Sequence, residues 1–504
     1  MELRTYQGRA VAATQGGWKD FQRQLGVAAT GAGKTIMFSH LAATETGRTL
    51  ILAHREELVN QAVQKLHDAT GIFASVERGV QRAIPGHAVI VGSIQSMRRR
   101  LRKYQPNAFD LIICDEAHHA LSDEWQAVLG HFHGARVLGV TATPDRGDRR
   151  NLGQYFQNVA FEIGLLELIA DGWLCPLRAM KLHVELDARH LRIKRGEIKA
   201  DDAAELLLPQ VRELARAVAG EIWDRKALIF LPRCDVSEAF ALALCEEGIE
   251  AAHVAGDSTN REELLSGFRR AGRGAALCNA MLLTEGYDQP DIDCVCVLRP
   301  TRSRALYAQM VGRGTRTADG KEFCLLLDPL WITGELDLCK PADLTAVSPL
   351  HREKLQARLD EGLDLMAAEG IAKSDVEEAL ARELEEAQKR RKAPRGFVDP
   401  LAWAVGIHDS NLTEYEAVMP WEEEPPTDSQ RAELDAAGIW TERMTRGFAT
   451  VLIERLRERA RLGLATPKQV AKLRQFGNPN ADVMTKGQAG MWLGHRLAGR
   501  KVAF

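Results

Sequence analysis

No stretch of the 504-residue sequence approaches the roughly 20 uninterrupted apolar residues that a membrane-spanning helix requires, which excludes a helical anchor. The opening residues Met1-Glu2-Leu3-Arg4 carry no apolar secretory core, so a cytoplasmic chain is expected. Paired cysteines are also missing. There are nine, an odd number, with no C-x-x-C spacing, and most lie in apolar runs. That pattern argues for reduced core thiols and against a disulfide or zinc framework. His118, His119, His131 and His133 straddle different elements, so no metal site is expected of them. A charge excess is absent as well. The formal net charge of −3 provides no bulk cationic field, so any grip on a polyanion must come from a local groove. Neither an internal repeat nor an extended low-complexity tract is evident.

What the sequence does contain is alternation. Short apolar runs at Leu25–Ala29, Leu50–Ala53, Ala88–Val91, Leu111–Cys114 and Arg136–Val140 are each followed by a turn or a helical stretch. Continuous apolar runs of this length read as strands buried on both faces, and the alternation reads as a doubly wound parallel sheet. The pattern resumes at Ala227–Leu231, Ala251–Val254, Ala275–Cys278, Ile292–Leu298 and Phe323–Leu327, with helices expected at Val236–Glu247 and Arg261–Arg270. Leu165–Pro176 reads as a short helix and turn between the two. After Pro329, His351–Lys392 becomes rich in Glu, Ala, Leu, Lys and Arg, and further helical segments follow at Arg446–Leu462 and from Thr466 onwards. The expected fold is α/β: two parallel-sheet lobes, residues 1–164 and 165–335, with a mostly helical extension over residues 336–504.

Two motifs carry chemistry. Thr30-Gly31-Ala32-Gly33-Lys34-Thr35 follows a strand and opens a helix, the setting of a phosphate-binding loop. Glycines let backbone N–H groups converge on a phosphate, Lys34 neutralises its oxygens, and the Thr35 hydroxyl suits Mg²⁺. Ala28 stands where the general pattern has its first glycine. Asp115-Glu116-Ala117-His118 comes directly after the run Leu111–Cys114. A parallel sheet delivers the ends of its strands to one edge, so Asp115 can reach the metal shell and Glu116 can polarise an attacking water.

Together with Thr141-Ala142-Thr143-Pro144 and Gln309-Met310-Val311-Gly312-Arg313-Gly314-Thr315-Arg316, these motifs occur in the order of the superfamily 2 helicases. They resemble most the DEAH-containing branch shared by restriction-enzyme motors and DNA-repair helicases, and the resemblance covers residues 3 to 330. It implies two RecA-like lobes, ATP and Mg²⁺ as ligands, and movement along a nucleic acid, DNA above RNA, with no membrane partner. Leu3-Arg4-Thr5-Tyr6-Gln7 resembles an adenine-reading motif, which gives Gln7 that role. Arg55 and the segment around Ser93 and Gln95 resemble strand-contacting motifs. His118, Thr141 and Thr143 would couple hydrolysis to the bound strand. Gly286 and Asp288 match a nucleotide-side motif in the second lobe.

Arg313 and Arg316 are three residues apart, so both can point in one direction. By the resemblance they face ATP held by the first lobe, where a guanidinium accelerates phosphoryl transfer roughly 10³- to 10⁵-fold. The basic runs Arg98–Lys103 and Lys389–Lys392 are candidates for flanking the nucleic acid, or plain solvated faces. Ala465–Leu473 and Met484–Ala489 resemble the tail of phage- and prophage-encoded helicases, and Lys468, Lys472 and Arg474 could touch DNA from there. A duplex translocase that separates no strands and an RNA-dependent ATPase are rival readings. The phosphate-loop reading leads to a first test. Lys34→Ala is expected to leave little ATP turnover in a chain whose circular dichroism is unchanged; wild-type turnover would refute the nucleotide-site reading.

Overall fold

A computed structural model of the chain describes residues 2–142, 152–182, 184, 193–194, 197–256, 258, 260–280, 282–283, 287–328, 338–388, 397–407, 409–413, 415, 417, 420–439, 442 and 444–497. Thr143, Gly286 and the run Lys389–Lys392 lie outside them. Two compact bodies form, one from Met1–Ala346 with Gln356–Ala368, the other from Val347–Leu355 with Glu369–Phe504. Among the described residues, no helix is long and apolar enough to cross a membrane.

The first body contains two parallel sheets. In the first, β1 (Arg23–Ala28), β2 (Thr49–Ala53), β3 (Ser75–Glu77), β4 (Val89–Ser93), β5 (Leu111–Asp115), β6 (Arg136–Thr141) and β7 (Asn158–Ile163) stand in the order β3-β4-β2-β5-β6-β1-β7. β2, β4 and β5 are buried along their whole length, as apolar runs covered on both faces require. After β8 (Leu177–Met180) a small hairpin, β9 (Ile193–Lys194) and β10 (Glu197–Ile198), precedes the second lobe. There β11 (Lys226–Phe230), β12 (Glu250–Val254), β13 (Ala275–Asn279), β14 (Cys294–Val297) and β15 (Cys324–Leu327) line up with β8 in the order β12-β13-β11-β14-β15-β8. The fold class read from the sequence is observed. Five strands were missed, β3, β7, β8, β9 and β10: β3 is only three residues long, β9 and β10 are two residues each, and β7 and β8 are partly exposed, so none shows a continuous apolar run. All nine cysteines are free thiols, and six are buried.

Register places the functional strand ends level. Val27 pairs with Thr141 and Asp115 with Val140, so β1, β6 and β5 end at one edge. Ala53 pairs with Ser93 at the ends of β2 and β4.

The second body corrects the expectation of no repeat. Helices Asp428–Ala437 and Arg446–Arg461 form one hairpin, and Pro467–Gln475 and Lys486–Leu497 form another. Each first helix starts on a Thr-x-x-Gln capping box, Thr427 with Gln430 and Thr466 with Gln469. Each is followed by a left-handed glycine, Gly438 at φ 76° and Gly477 at φ 75°. The capping glutamine then donates its amide to the carbonyl that opens the second helix. Gln430 reaches Arg446 O at 3.5 Å, and Gln469 reaches Lys486 O at 3.0 Å. Only caps and core positions such as Leu434 and Leu473 repeat, and the surface between them has diverged, which hides the duplication in the sequence. Arg474 is also corrected: it is spent on the carbonyls of Gly406 and Pro479, both at 2.9 Å, and is no free contact.

The two lobes of the first body meet through bare backbone. A Cβ on Gly312 would lie 2.3 Å from Thr30 Cβ, and one on Gly31 would lie 3.4 Å from Thr315 Oγ1 and 2.9 Å from Leu174 Cδ2 of the joining segment. Cys175 N donates to Thr315 O at 2.7 Å, so the segment joining the lobes runs along the turn that follows Gly312. Helix Glu56–Thr70 faces the second lobe with ion pairs Glu57–Arg261 at 3.2 Å and Lys65–Asp288 at 3.4 Å. Burial alone would raise the Glu57 carboxyl, but backbone hydrogen bonding and Arg261 bring it below its ordinary range. Gly312→Ala drives a methyl into a backbone-attached carbon that no rotamer change can move. It should cost about 1–3 kcal/mol of stability, measured as a lower denaturant midpoint with unchanged circular dichroism. An unaltered midpoint would show that the lobes do not pack this closely.

Candidate nucleotide site between two lobes

The phosphate-binding loop begins where β1 ends. Gly31 (φ 91°) and Gly33 (φ 77°) take the left-handed conformation that only glycine adopts cheaply, and Gly33 caps the helix Lys34–Thr44. A side chain at Gly33 would strike Gln7 Nε2 at 2.6 Å. Gln7 and Tyr6 both donate to Ala32 O at 3.0 Å, while Gln7 Oε1 accepts Arg4 N at 3.0 Å. The first helix thereby props the loop open. Lys34 Nζ rests 3.3 Å from Ala28 O.

Asp115 and Glu116 are both buried at the end of β5. Glu116 N donates to Asp115 Oδ1 at 3.1 Å. Glu116 has φ 54°, making it the one non-glycine with positive φ among the described residues. Such strain persists only where the surroundings impose it, and it accumulates at functional sites. Burial would raise the Glu116 carboxyl, yet His118 and the nearby Lys34 charge overcome this and hold it below the usual carboxylate range. The side chain is therefore an anion at neutral pH. His118 Nδ1 stands 3.4 Å from Glu116 Oε2 and 3.4 Å from Thr141 Oγ1, so it lies between the acid and the end of β6. A chain of ring contacts continues from His118 to His119 (centroids 4.0 Å apart, tilted) and on to His54 (4.6 Å, edge to face) at the end of β2.

One cleft of about 430 Å³ is lined from both lobes. Gln7, Thr30, Gly31, Gly33, Lys34, Thr35, Asp115 and Glu116 come from the first lobe, and Asp288, Arg313 and Arg316 from the second. Arg313 is buried and donates to Tyr287 O at 2.8 Å, and Arg316 pairs with Asp288. The residues present fit a nucleoside triphosphate with Mg²⁺. Thr35 and Asp115 offer hard oxygen ligands, Lys34 and the arginines offer cations, and the two glycines leave a cradle that a Cβ would fill. Thr30 Oγ1 is buried and has no hydrogen-bond partner among the described residues.

The other sequence candidates fall elsewhere. Ser93 caps the helix Ile94–Arg100, accepting from Ser96 N at 3.3 Å, and exposed Gln95 donates to His54 O at 3.1 Å. Arg55 is half-buried at the start of helix Glu56–Thr70. Arg98 and Arg99 are exposed, whereas Arg100 is tied to Glu77 and to the carbonyls of Gly79 and Gln81. Sequence reasoning missed Trp173, Leu174, Gln61 and Lys65, all of which line the cleft. Arg4 lies 4.6 Å over the Trp173 ring, which makes a flat platform beside Gln7. No local motif announces Trp173. Leu58, Gln61 and Lys65 share one helical face, a signal that was available.

Family models match both lobes. That of the type III restriction enzyme res subunit matches residues 1–146, and that of the helicase conserved C-terminal domain matches residues 210–318. The putative ATP-dependent helicase IRC3 of Saccharomyces cerevisiae is 31% identical over 355 residues, 65% of this chain and 51% of its own. The chain thus spans about half the length of the curated relatives it matches. Among solved structures, a fragment of a putative HsdR subunit of a type I restriction enzyme from Vibrio vulnificus YJ016 superposes with a TM-score of 0.53 at 22% identity, covering 66% of each chain. The type ISP restriction-modification enzyme LlaBIII, bound to DNA, also gives 0.53 at 15% identity, covering 100% of this chain and 43% of its own. These two likenesses concern the fold. With its motifs in order on two RecA-like sheets, and with both family models on the corresponding lobes, the chain belongs to the superfamily 2 helicases, and restriction-enzyme subunits are among its relatives.

Proposed function

We propose that this chain hydrolyses ATP in the cleft between its lobes and couples the reaction to movement along a nucleic-acid strand, DNA in preference to RNA. The observation that carries the reading is the shared lining of one cleft: Lys34, Asp115 and Glu116 on one wall, Arg313 and Arg316 on the other. A site built this way is complete only when the lobes are together, so chemistry and lobe position depend on one another. The preference for DNA rests on the restriction-enzyme relatives. The lobes are read as residues 1–164 and 165–335, with residues 336–504 as the accessory region. Leu168, Ile169 and Leu174 pack in the core of the first lobe, so the joining segment belongs to it physically.

In this reading the backbone N–H groups of Thr30–Thr35 and the Lys34 ammonium bind the phosphates, and Gln7 reads the adenine edge with its remaining amide hydrogen. Thr35 and Asp115 would hold Mg²⁺, which when bound would supply neutralisation of phosphate charge. Glu116, kept ionised and oriented by its strained backbone, aligns the attacking water and receives its proton. Arg313 and Arg316 stabilise charge on the transferred phosphoryl oxygens. His118, between Glu116 and Thr141, links hydrolysis to the strand-facing edge.

ATP turnover measured side by side with single-stranded DNA, duplex DNA and RNA tests this reading. Stimulation by DNA is expected, and strand displacement on a forked duplex separates unwinding from plain duplex translocation. Glu116→Gln should keep ATP and Mg²⁺ bound while slowing turnover by about 100-fold or more. Collapse of ATP affinity with normal turnover of the remaining bound nucleotide would remove Glu116 from this role. No turnover on any nucleic acid would refute the motor.

A further inference from the structure

Between the two helical hairpins of the second body lies a cavity of about 530 Å³ that the motor chemistry does not use. One wall is apolar, formed by Trp403, Leu456, Leu464 and Pro467. The rest carries small residues and four cations, Arg457, Arg459, Lys468 and Lys486. Glu433, the one acidic side chain on the lining among the described residues, is taken up by Arg457 through contacts of 2.8 and 2.7 Å. Among the described residues no carboxylate pairs with Lys468 or Lys486, while Arg459 feels the charges of Asp482 and Asp409 without a direct ion pair.

Arg459 is the unusual member. It is only 9% exposed, donates to Asp482 O at 2.8 Å, and its Nε is buried with no acceptor among the described residues. The Trp403 indole N–H is likewise buried without an acceptor. Buried donors of this kind are costly and call for a reason. Lys468 lies across the bare Cα of Gly438, its Nζ 3.0 Å from where a Cβ would sit, so the ammonium is held at the rim. Lys468 also sits in the first turn of the helix capped by Thr466, whose N-terminal end favours an anion.

We propose that this cavity receives one nucleotide of a single strand, with the base against the partly exposed Leu456 and Leu464 and the phosphate across Lys468 and Lys486. The inference rests on the reading of the chain as a nucleic-acid motor. An anion alone would satisfy the lysines but leave the apolar wall wet, and a paired base could not reach that wall. A nucleotide with its base unstacked satisfies both, which is how single strands are generally held. Arg459 supplies a fixed positive charge behind the phosphate. The second hairpin thus adds a grip outside the lobes.

The test uses the full chain with a labelled oligothymidylate and an abasic strand of the same length, with binding followed by fluorescence anisotropy across a salt series. Lys468→Ala with Lys486→Ala changes two exposed side chains and should leave basal ATP turnover unchanged. The log–log salt slope should flatten by about 0.7 for each lost phosphate contact. Wild type should prefer the intact strand to the abasic one, and the double variant should lose that preference. An unchanged slope would overturn the proposal. So would equal binding of intact and abasic strands by wild type, which would reduce the site to a bare anion pocket. Wild-type ATP turnover, measured in parallel, reports on the motor separately: retained turnover with an unchanged slope refutes only this site.

Discussion

The close approach of glycine backbone to neighbouring side chains at the lobe interface is the constraint from which the nucleotide cleft follows. Gly312 rests on Thr30, and Leu174 rests on Gly31, with no room for another methyl at either place. This brings a turn of the second lobe onto the phosphate-binding loop of the first and sets Arg313 and Arg316 on the opposite wall of the same cleft. The joining segment enforces the arrangement from a third direction. Leu174 is packed in the core of the first lobe, while the next residue, Cys175, is hydrogen-bonded to Thr315 of the second. A shift of the phosphate loop therefore presses on the arginine-bearing turn through two routes at once.

The charges across the interface are of another order. Lys65–Asp288 and Glu57–Arg261 are ion pairs about a third exposed, and pairs of that kind contribute about 0–1 kcal/mol each. They orient the lobes without locking them. The histidine contacts His54–His119–His118 run along the strand ends of the first lobe to Glu116 and Thr141, so the acid of the nucleotide site is tied by contact to the edge where β2 ends.

The accessory body follows a different plan. Its core is built from two hairpins that share a capping scheme and a glycine stop, and its cations divide into two groups. Arg474 and Arg455 are consumed in holding the helices and loops together, whereas Lys468 and Lys486 border a cavity. Counting basic residues along the sequence cannot separate these groups, because both are arginines and lysines on amphipathic helices.

Much of the motor was legible without coordinates, because its signals are local. A buried parallel strand is a continuous apolar run, and Leu111–Asp115 or Lys226–Phe230 cannot be mistaken for a surface helix. A phosphate loop needs its glycines and lysine within a few residues of each other, so the sequence by itself determined the loop, the acidic pair at the end of β5, and the two-sheet class. What only the tertiary structure decided are the relations between segments far apart in the chain. Trp173 enters the cleft because a linker folds back. Ser93 proves to be a helix cap, Gly312 needs its bareness because Thr30 lies beneath it, and the duplicated hairpins become visible through equivalent hydrogen bonds rather than equivalent residues. Packing and hydrogen bonding act over a few ångströms of space whatever the separation along the chain, so one-dimensional spacing carries no record of them.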